Sequence, residues 1–242
     1  MAHFSICIAG FTAAVTSLFD STRDYCARYL TQNAPDFSVT VSREDLLFEQ
    51  RFLDEEADEE GLRRRVFTDP FLERTAIQRK VAEALLSRGV LLIHGSAVAV
   101  DGKGYLFTAK TGTGKSTHTR LWRQVFGDRA VMVNDDKPFL RFSPEGIFLC
   151  GAPWSGKHGL DTNMTVPLQG ICILERGAEN TIAPVSADFA ADFLRHQCQL
   201  PLEAGNMPLF TELFSRLMDA PLWRMACTIS EDAPKIAYEA MK

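Results

Sequence analysis

The chain is 242 residues long, 46% hydrophobic and 24% charged, with a formal net charge of −5. That length and apolar content can bury a real core, as one large domain or one with a small appended subdomain, and the acidic balance gives no electrostatic footprint for nucleic acid while leaving room for a local basic pocket. Apolar runs such as Ala130 to Val133 and Gly89 to Ile93 are far too short to span a bilayer, the first residues lack the basic start of a signal peptide, and six scattered cysteines with no Cys-x-x-Cys pair read as reduced residues of a cytoplasmic protein, not a zinc site or a disulfide frame.

Residues 1–68 read as a small N-terminal α/β subdomain. Phe4, Ile6 and Ile8 alternate as a strand, Leu18 to Leu30 suits a helix, and Phe37 to Val41 is a second strand. Ser42 to Asp45 resembles an N-cap for a charged segment that runs through the acidic stretch Asp54 to Glu60 and is offset by Arg63, Arg64 and Arg65. The acidic stretch reads as a solvated face or loop, or as a docking site for a basic partner.

A second domain, 69–242, opens with Pro70 at the first helical position and Ala76, Ile77, Val81, Ala84 and Leu85 along one helix side, ended by Gly89. Two β-rich runs joined by His94-Gly95 follow, then a tight turn at Asp101-Gly102 and a strand, Gly104 to Thr108. That strand leads into Ala109-Lys110-Thr111-Gly112-Thr113-Gly114-Lys115-Ser116-Thr117, a phosphate-binding loop. Gly112 and Gly114 let the backbone curl until successive N–H groups point at one polyphosphate, Lys115 supplies a mobile positive charge, and Ser116 offers a hydroxyl to Mg²⁺. Leu121, Trp122, Val125 and Phe126 recur at helical spacing behind the loop, with Gly127 as the C-cap, so the loop sits at a helix N-terminus that favours an anion.

Ala130 to Val133 makes a short buried strand, and Asp135 and Asp136 fall at its C-terminal end. One carboxylate can hold Mg²⁺ on a nucleotide while the other accepts a proton from an attacking hydroxyl; the alternative is a polar turn. In Gly151 to Gly159, Gly156 permits a tight bend and Lys157 and His158 present cationic or hydrogen-bonding groups suited to a phosphate or acidic substrate; the alternative is a surface turn anchored by Trp154. Beyond it, Val166 to Leu174 reads as a strand, Ser186 caps a helix to about Gln197, Met207 to Met218 forms an amphipathic helix, Trp223 to Ile229 is a strand, and Ser230 caps the last helix. The interleaving gives an α/β fold with a mixed sheet.

The order strand, His-Gly, strand, Asp-Gly turn, strand, phosphate loop, helix, strand, Asp-Asp resembles the catalytic core of the HPr kinase/phosphorylase family and its small relatives, within the phosphoenolpyruvate-carboxykinase-like P-loop fold. The resemblance is strong from about Val90 to Phe142 and weak as far as about Glu175 and Pro221 to Met225. It implies that Thr111 to Ser116 bind the β-phosphate, that Asp135 and Asp136 supply an acid/base and a metal contact, and that His94 lies beside the catalytic aspartate, although Ile93 replaces the family's methionine. Pro-Trp-Ser-Gly-Lys runs such as Pro153 to Lys157 resemble those of small proteins related to these kinases. Thr117 stands where HPr kinases usually place Glu, and their Gly-Arg-Asn signature is missing downstream, so phosphorylation of HPr is not implied. True phosphoenolpyruvate carboxykinases are about twice as long, and decarboxylation is not implied either.

The expectation is an ATP- and Mg²⁺-dependent kinase that moves the γ-phosphoryl group to a hydroxyl of a peptide or carrier protein, or of a small metabolite, with no nucleic-acid or membrane partner. Lys115 and the loop up to Thr117 hold the phosphates, Ser116 and one of Asp135 and Asp136 hold the metal, the other aspartate takes the proton, His94 orients the site, and Lys157 closes on the acceptor. The rivals are a phosphorylase or hydrolase using the same site, and a nucleotide-binding regulatory or peptide-binding module.

Overall fold

The computed structural model describes residues 1–59, 61 and 63–242. Contacts divide the chain into two compact units, Met1–Ala84 and Leu85–Lys242. The sequence places a boundary after residue 68; the contacts assign most of the following helix, with its buried Leu72, Ala76, Ile77 and Val81, to the first unit.

The first unit has a three-stranded sheet of β1 (Ala2–Ile8), β2 (Phe11–Ser17) and β3 (Phe37–Thr40), with β2 antiparallel to β1 and parallel to β3. The hairpin turns through Ala9 and Gly10, both at positive φ, which is the backbone twist that two-residue hairpins require. The segment expected to be one helix from Leu18 to Leu30 is shorter and broken: α1 (Asp20–Tyr25) passes into a single tight turn, Ala27–Tyr29. Its start is capped from elsewhere in the unit. The fully buried side chain of Glu73 accepts hydrogen bonds from the backbone N–H groups of Leu18 and Phe19, just ahead of the helix, and from the Thr22 hydroxyl in its first turn.

Helix α2 (Arg43–Glu59) takes up most of the acidic stretch, with Glu55, Glu56, Asp58 and Glu59 exposed and Arg64 paired with Asp58; Glu60 lies outside the described residues. Helix α3 (Asp69–Leu86) completes the unit and continues into the next.

The second unit is built on a nine-stranded mixed sheet. Its strands are β4 (Val90–Leu92), β5 (Ser96–Val100), β6 (Lys103–Thr108), β7 (Ala130–Asn134), β8 (Phe139–Ser143), β9 (Gly146–Cys150), β10 (Thr165–Arg176), β11 (Thr181–Pro184) and β12 (Leu222–Cys227). The order runs β4-β8-β9-β10-β6-β5-β7, with β12 parallel to β10 and β11 antiparallel to β12. Strand β10 also runs parallel to β6 and antiparallel to β9, so it joins the antiparallel and parallel parts of the sheet.

Period-two alternation sorts the side chains into two cores. Leu106, Ile171 and Ile173 pack with Leu194 of α5 (Ala187–Gln197) and with Phe210, Leu213 and Leu217 of α6 (Met207–Leu217). Tyr105, Phe107, Cys172 and Leu174 pack with Trp122 of α4 (Lys115–Phe126) and with Ala233 and Ala237 of α7 (Asp232–Met241). Covering both faces explains why the central strands read as nearly continuous apolar runs.

Ser186 caps α5 as expected, its hydroxyl accepting from the Phe189 N–H. Ser230 does not cap α7; Glu231 holds that position, and the Ser230 hydroxyl is instead bonded to Asn180 and Thr228. Among the described residues no helix is long and apolar enough to cross a membrane, and all six cysteines are unpaired.

Candidate functional site

The glycine-rich loop connects the end of β6 to the start of α4, where its phosphate-binding reading requires it. Gly112 (φ +77°) and Gly114 (φ +121°) hold backbone conformations that L side chains rarely adopt. A side chain at Gly112 would meet nothing within 4 Å, so these glycines answer to the path of the chain and not to crowding. Gly114 precedes α4 without any side-chain cap, so no cap side chain occupies the first N–H groups of the helix. Thr111 is exposed and Thr113 half-buried; in the first turn of α4 Ser116 is exposed and Thr117 half-buried. Lys115 folds back so that its Nζ donates to the Ala109 carbonyl, 3.2 Å away, and burial lowers its ammonium from the ordinary lysine range.

Asp135 and Asp136 follow β7 and face different surroundings. Asp135 is 8% exposed and accepts the Ser96 hydroxyl at 2.6 Å; Ser96 also bonds the Thr119 hydroxyl of α4 at 2.7 Å. One carboxylate is thereby tied to the helix that follows the loop. Asp136 is more open, and its Oδ1 lies 3.4 Å from His94 Nε2. Burial raises its carboxyl above the ordinary aspartate value, opposed by the positive charges of Lys137 and Lys115 and reinforced by Asp135.

Burial, with Lys137 and Lys115 nearby, takes the His94 imidazole down to about 3, so the contact joins a neutral ring to the carboxyl group and orients it without forming an ion pair. The His94 backbone is braced on both sides. Its N–H donates to the Gln197 carbonyl at the end of α5 (2.7 Å), and its carbonyl accepts from the Thr108 hydroxyl at the end of β6 (3.0 Å).

Asn134, fully buried, is a site residue that the sequence reading missed. Its Oδ1 accepts the N–H groups of Asp136 (2.8 Å) and Lys137 (2.7 Å), shaping the carboxylate turn. Its Nδ2 donates to the carbonyls of Ala152 (2.7 Å) and Trp154 (3.2 Å), fastening the Gly151–Gly159 loop to that turn. A second buried bond, Ser155 hydroxyl to Asp161 carboxylate at 2.6 Å, stiffens the same loop. Gly156 (φ +67°) then comes so close that a side chain there would stand 3.3 Å from Asp136 Cβ.

The sequence-named loop is therefore packed against the carboxylate turn. Its Lys157 and His158 lie in an exposed single turn, Gly156–His158, and the Lys157 ammonium is not among the charges that act on Asp136. Two more cations belong to the neighbourhood. Lys137 acts electrostatically on His94, Lys115 and Asp136 together, and Arg176, at the end of β10, donates to the Gly112 carbonyl at 2.7 Å. Lys137 was legible only as the residue after the aspartate pair; Arg176 carries no local signal, because parallel pairing of β10 and β6 brings it to the loop.

In class, then, this is an α/β protein whose mixed sheet brings a glycine-rich strand-to-helix loop, a lysine, two unequal carboxylates and a neutral histidine to one place. The chain belongs to the family described as SynChlorMet cassette protein ScmC, whose model matches residues 71–204, more than half of the sequence. The solved structure of the Hpr(Ser) kinase/phosphatase from Coxiella burnetii is similar at 10% sequence identity and a TM-score of 0.36, over 62% of this chain and 95% of that one. At that score the likeness assigns no residue here a role. No curated protein matches the sequence.

Proposed function

We propose that the second unit is an ATP-dependent kinase of the HPr-kinase-like type, a phosphoenolpyruvate-carboxykinase-like P-loop domain, that transfers the γ-phosphoryl group to a hydroxyl. The observation that carries the reading is the convergence of Lys115, His94 and Asp136, with Asp136 raised by burial toward the range a general base needs. The loop amides and Lys115 hold the β- and γ-phosphates. Asp136 accepts the hydroxyl proton as the acceptor oxygen bonds to the γ-phosphorus and the bond to the β-phosphate oxygen breaks, ADP leaving with the electron pair. His94 orients Asp136.

Mg²⁺ fits the donor set, which is hard oxygen throughout. Asp135 and the Ser116 hydroxyl are the residues that would hold it, and Ser96 fixes the direction of Asp135 for that task. Among the described residues no group of three or more His, Cys, Asp or Glu side chains could cage a metal, and Mg²⁺ on a nucleotide needs only one or two carboxylates, the rest coming from phosphate and water. When bound, the ion neutralises charge on the phosphates.

The test is a screen with γ-labelled ATP and Mg²⁺ across small alcohols, hydroxyl-bearing peptides and carrier proteins. Label recovered on a covalent product supports the kinase. Label found only as inorganic phosphate points to a hydrolase on the same site, and saturable ATP binding without turnover points to a regulatory module.

A further inference from the structure

Lys137 is a charge that the proposed chemistry leaves unassigned. Its charge is felt at Lys115, His94 and Asp136, and it directly follows Asp136 in the turn that Asn134 shapes. It is half-buried, and among the described residues its side chain has neither an ion pair nor a hydrogen bond. Three other cations are satisfied: Lys80 reaches Asp45 and the Thr40 carbonyl, Arg129 reaches Asp101, and Arg224 reaches Glu175. An ammonium that spends no hydrogen bond within the protein keeps its donors for an arriving anion.

A second unpartnered lysine stands close by in the chain's path. Lys157 follows Gly156, whose backbone packs against the Asp136 side chain, and its own side chain is exposed and bonded to no described residue. Asn134 holds both segments in one hydrogen-bonded unit, through the Lys137 N–H on one side and the Trp154 carbonyl on the other.

The charge balance limits what can lie beside Asp136. Lys115 faces the donor's phosphates, and the two carboxylates serve metal and proton. A cationic acceptor would meet both lysines, and a neutral one would leave both unused. An anionic acceptor needs cations to hold it against Asp135 and Asp136. Resting on the kinase reading, we infer that Lys137 and Lys157 form the anion-binding half of the acceptor subsite, so that the acceptor is a hydroxyl compound carrying its own phosphate or carboxylate. That anion can belong to a small metabolite or to an acidic peptide.

Matched probes decide the matter: glycerol against glycerol 3-phosphate, and a Glu-Ser-Glu peptide against Ala-Ser-Ala, each measured for binding by calorimetry and for phosphoryl transfer from Mg-ATP. The wild type should favour the anionic member of at least one pair by tenfold or more, the favoured pair naming the source. The K137Q/K157Q variant should bring that ratio to about one, and K137R/K157R should keep it. Equal use of charged and neutral members, or a preference that survives in K137Q/K157Q, overturns the inference. Binding of the probes is read without turnover, so a wild type that prefers glycerol 3-phosphate yet transfers nothing contradicts the kinase and leaves the anion site standing.

Discussion

The two carboxylates separate by what surrounds them. Ser96 donates to Asp135, whereas Asp136 meets a neutral ring and two lysines. Asp136→Asn should lower kcat by about a hundredfold or more, in keeping with loss of a general base, with Mg-ATP affinity nearly retained. Asp135→Asn should raise the Mg²⁺ concentration needed for half-maximal rate. Normal turnover in both variants would reduce the pair to a turn.

The pH profile carries the same assignment. Proton acceptance needs ionised Asp136, whose carboxyl lies above the ordinary aspartate value, so kcat/KM should fall on the acid side at a pH above the usual aspartate range. An acid limb at ordinary aspartate acidity would remove Asp136 from the role. Gly156→Ala probes the packing beneath it: the left-handed backbone costs about 1 kcal/mol for a residue with a Cβ. The new methyl also presses on Asp136 Cβ at 3.3 Å, so turnover should drop by more than stability does.

At the scale of elements, one side chain joins two segments. Asn134→Ala leaves two turn N–H groups and two loop carbonyls without their partner, and a buried group left unsatisfied costs about 1 to 3 kcal/mol. Denaturant unfolding should show a loss in that range or above it, with faster hydrogen exchange at Trp154 to Gly159. Unchanged exchange there would mean the loop holds itself.

This tie also marks where sequence reading stopped. Strands β6, β7 and β10, helices α3, α4, α5 and α6, and the loop between β6 and α4 were legible, because apolar period, caps and glycine spacing are local. Strand β2 was missed although Ala9-Gly10 is a hairpin turn, since Thr12 to Ser17 is rich in small and hydroxyl residues and alternates weakly. Strands β8, β9 and β11 passed unmarked for want of a motif. The ties from Asn134 to Ala152 and Trp154, 18 and 20 residues away, and from Arg176 to Gly112, 64 residues away, were invisible for a different reason: these partners meet only in the folded chain.

For the molecule as a whole, buried imidazoles set the response to acid. His94 is lowered to about 3 and His118, which accepts the Trp122 indole N–H at 3.0 Å deep in the aromatic core, to about 4. An unfolded chain binds protons at these rings below about pH 6.5 while the folded chain does not, so stability is full above that pH and is lost as pH falls toward 4. Asp136 and Glu49, both raised by burial, work in the opposite sense at the acid end of this window. Urea midpoints should therefore drop between pH 7.5 and pH 5, and His118→Gln should flatten that drop while lowering stability at neutral pH. A midpoint independent of pH would show that neither ring is held neutral.

The central claim is that the β6–α4 loop binds nucleotide phosphate through Lys115. Equilibrium titration of the full chain with Mg-ATP, wild type beside Lys115→Ala, tests it without needing an acceptor. The lysine contributes one loop-directed hydrogen bond and little to the core, so the variant should keep the wild-type unfolding midpoint within a few tenths of a kcal/mol and lose Mg-ATP affinity by tenfold or more. Equal affinity in the folded variant, or no saturable binding by the wild type, would contradict the account.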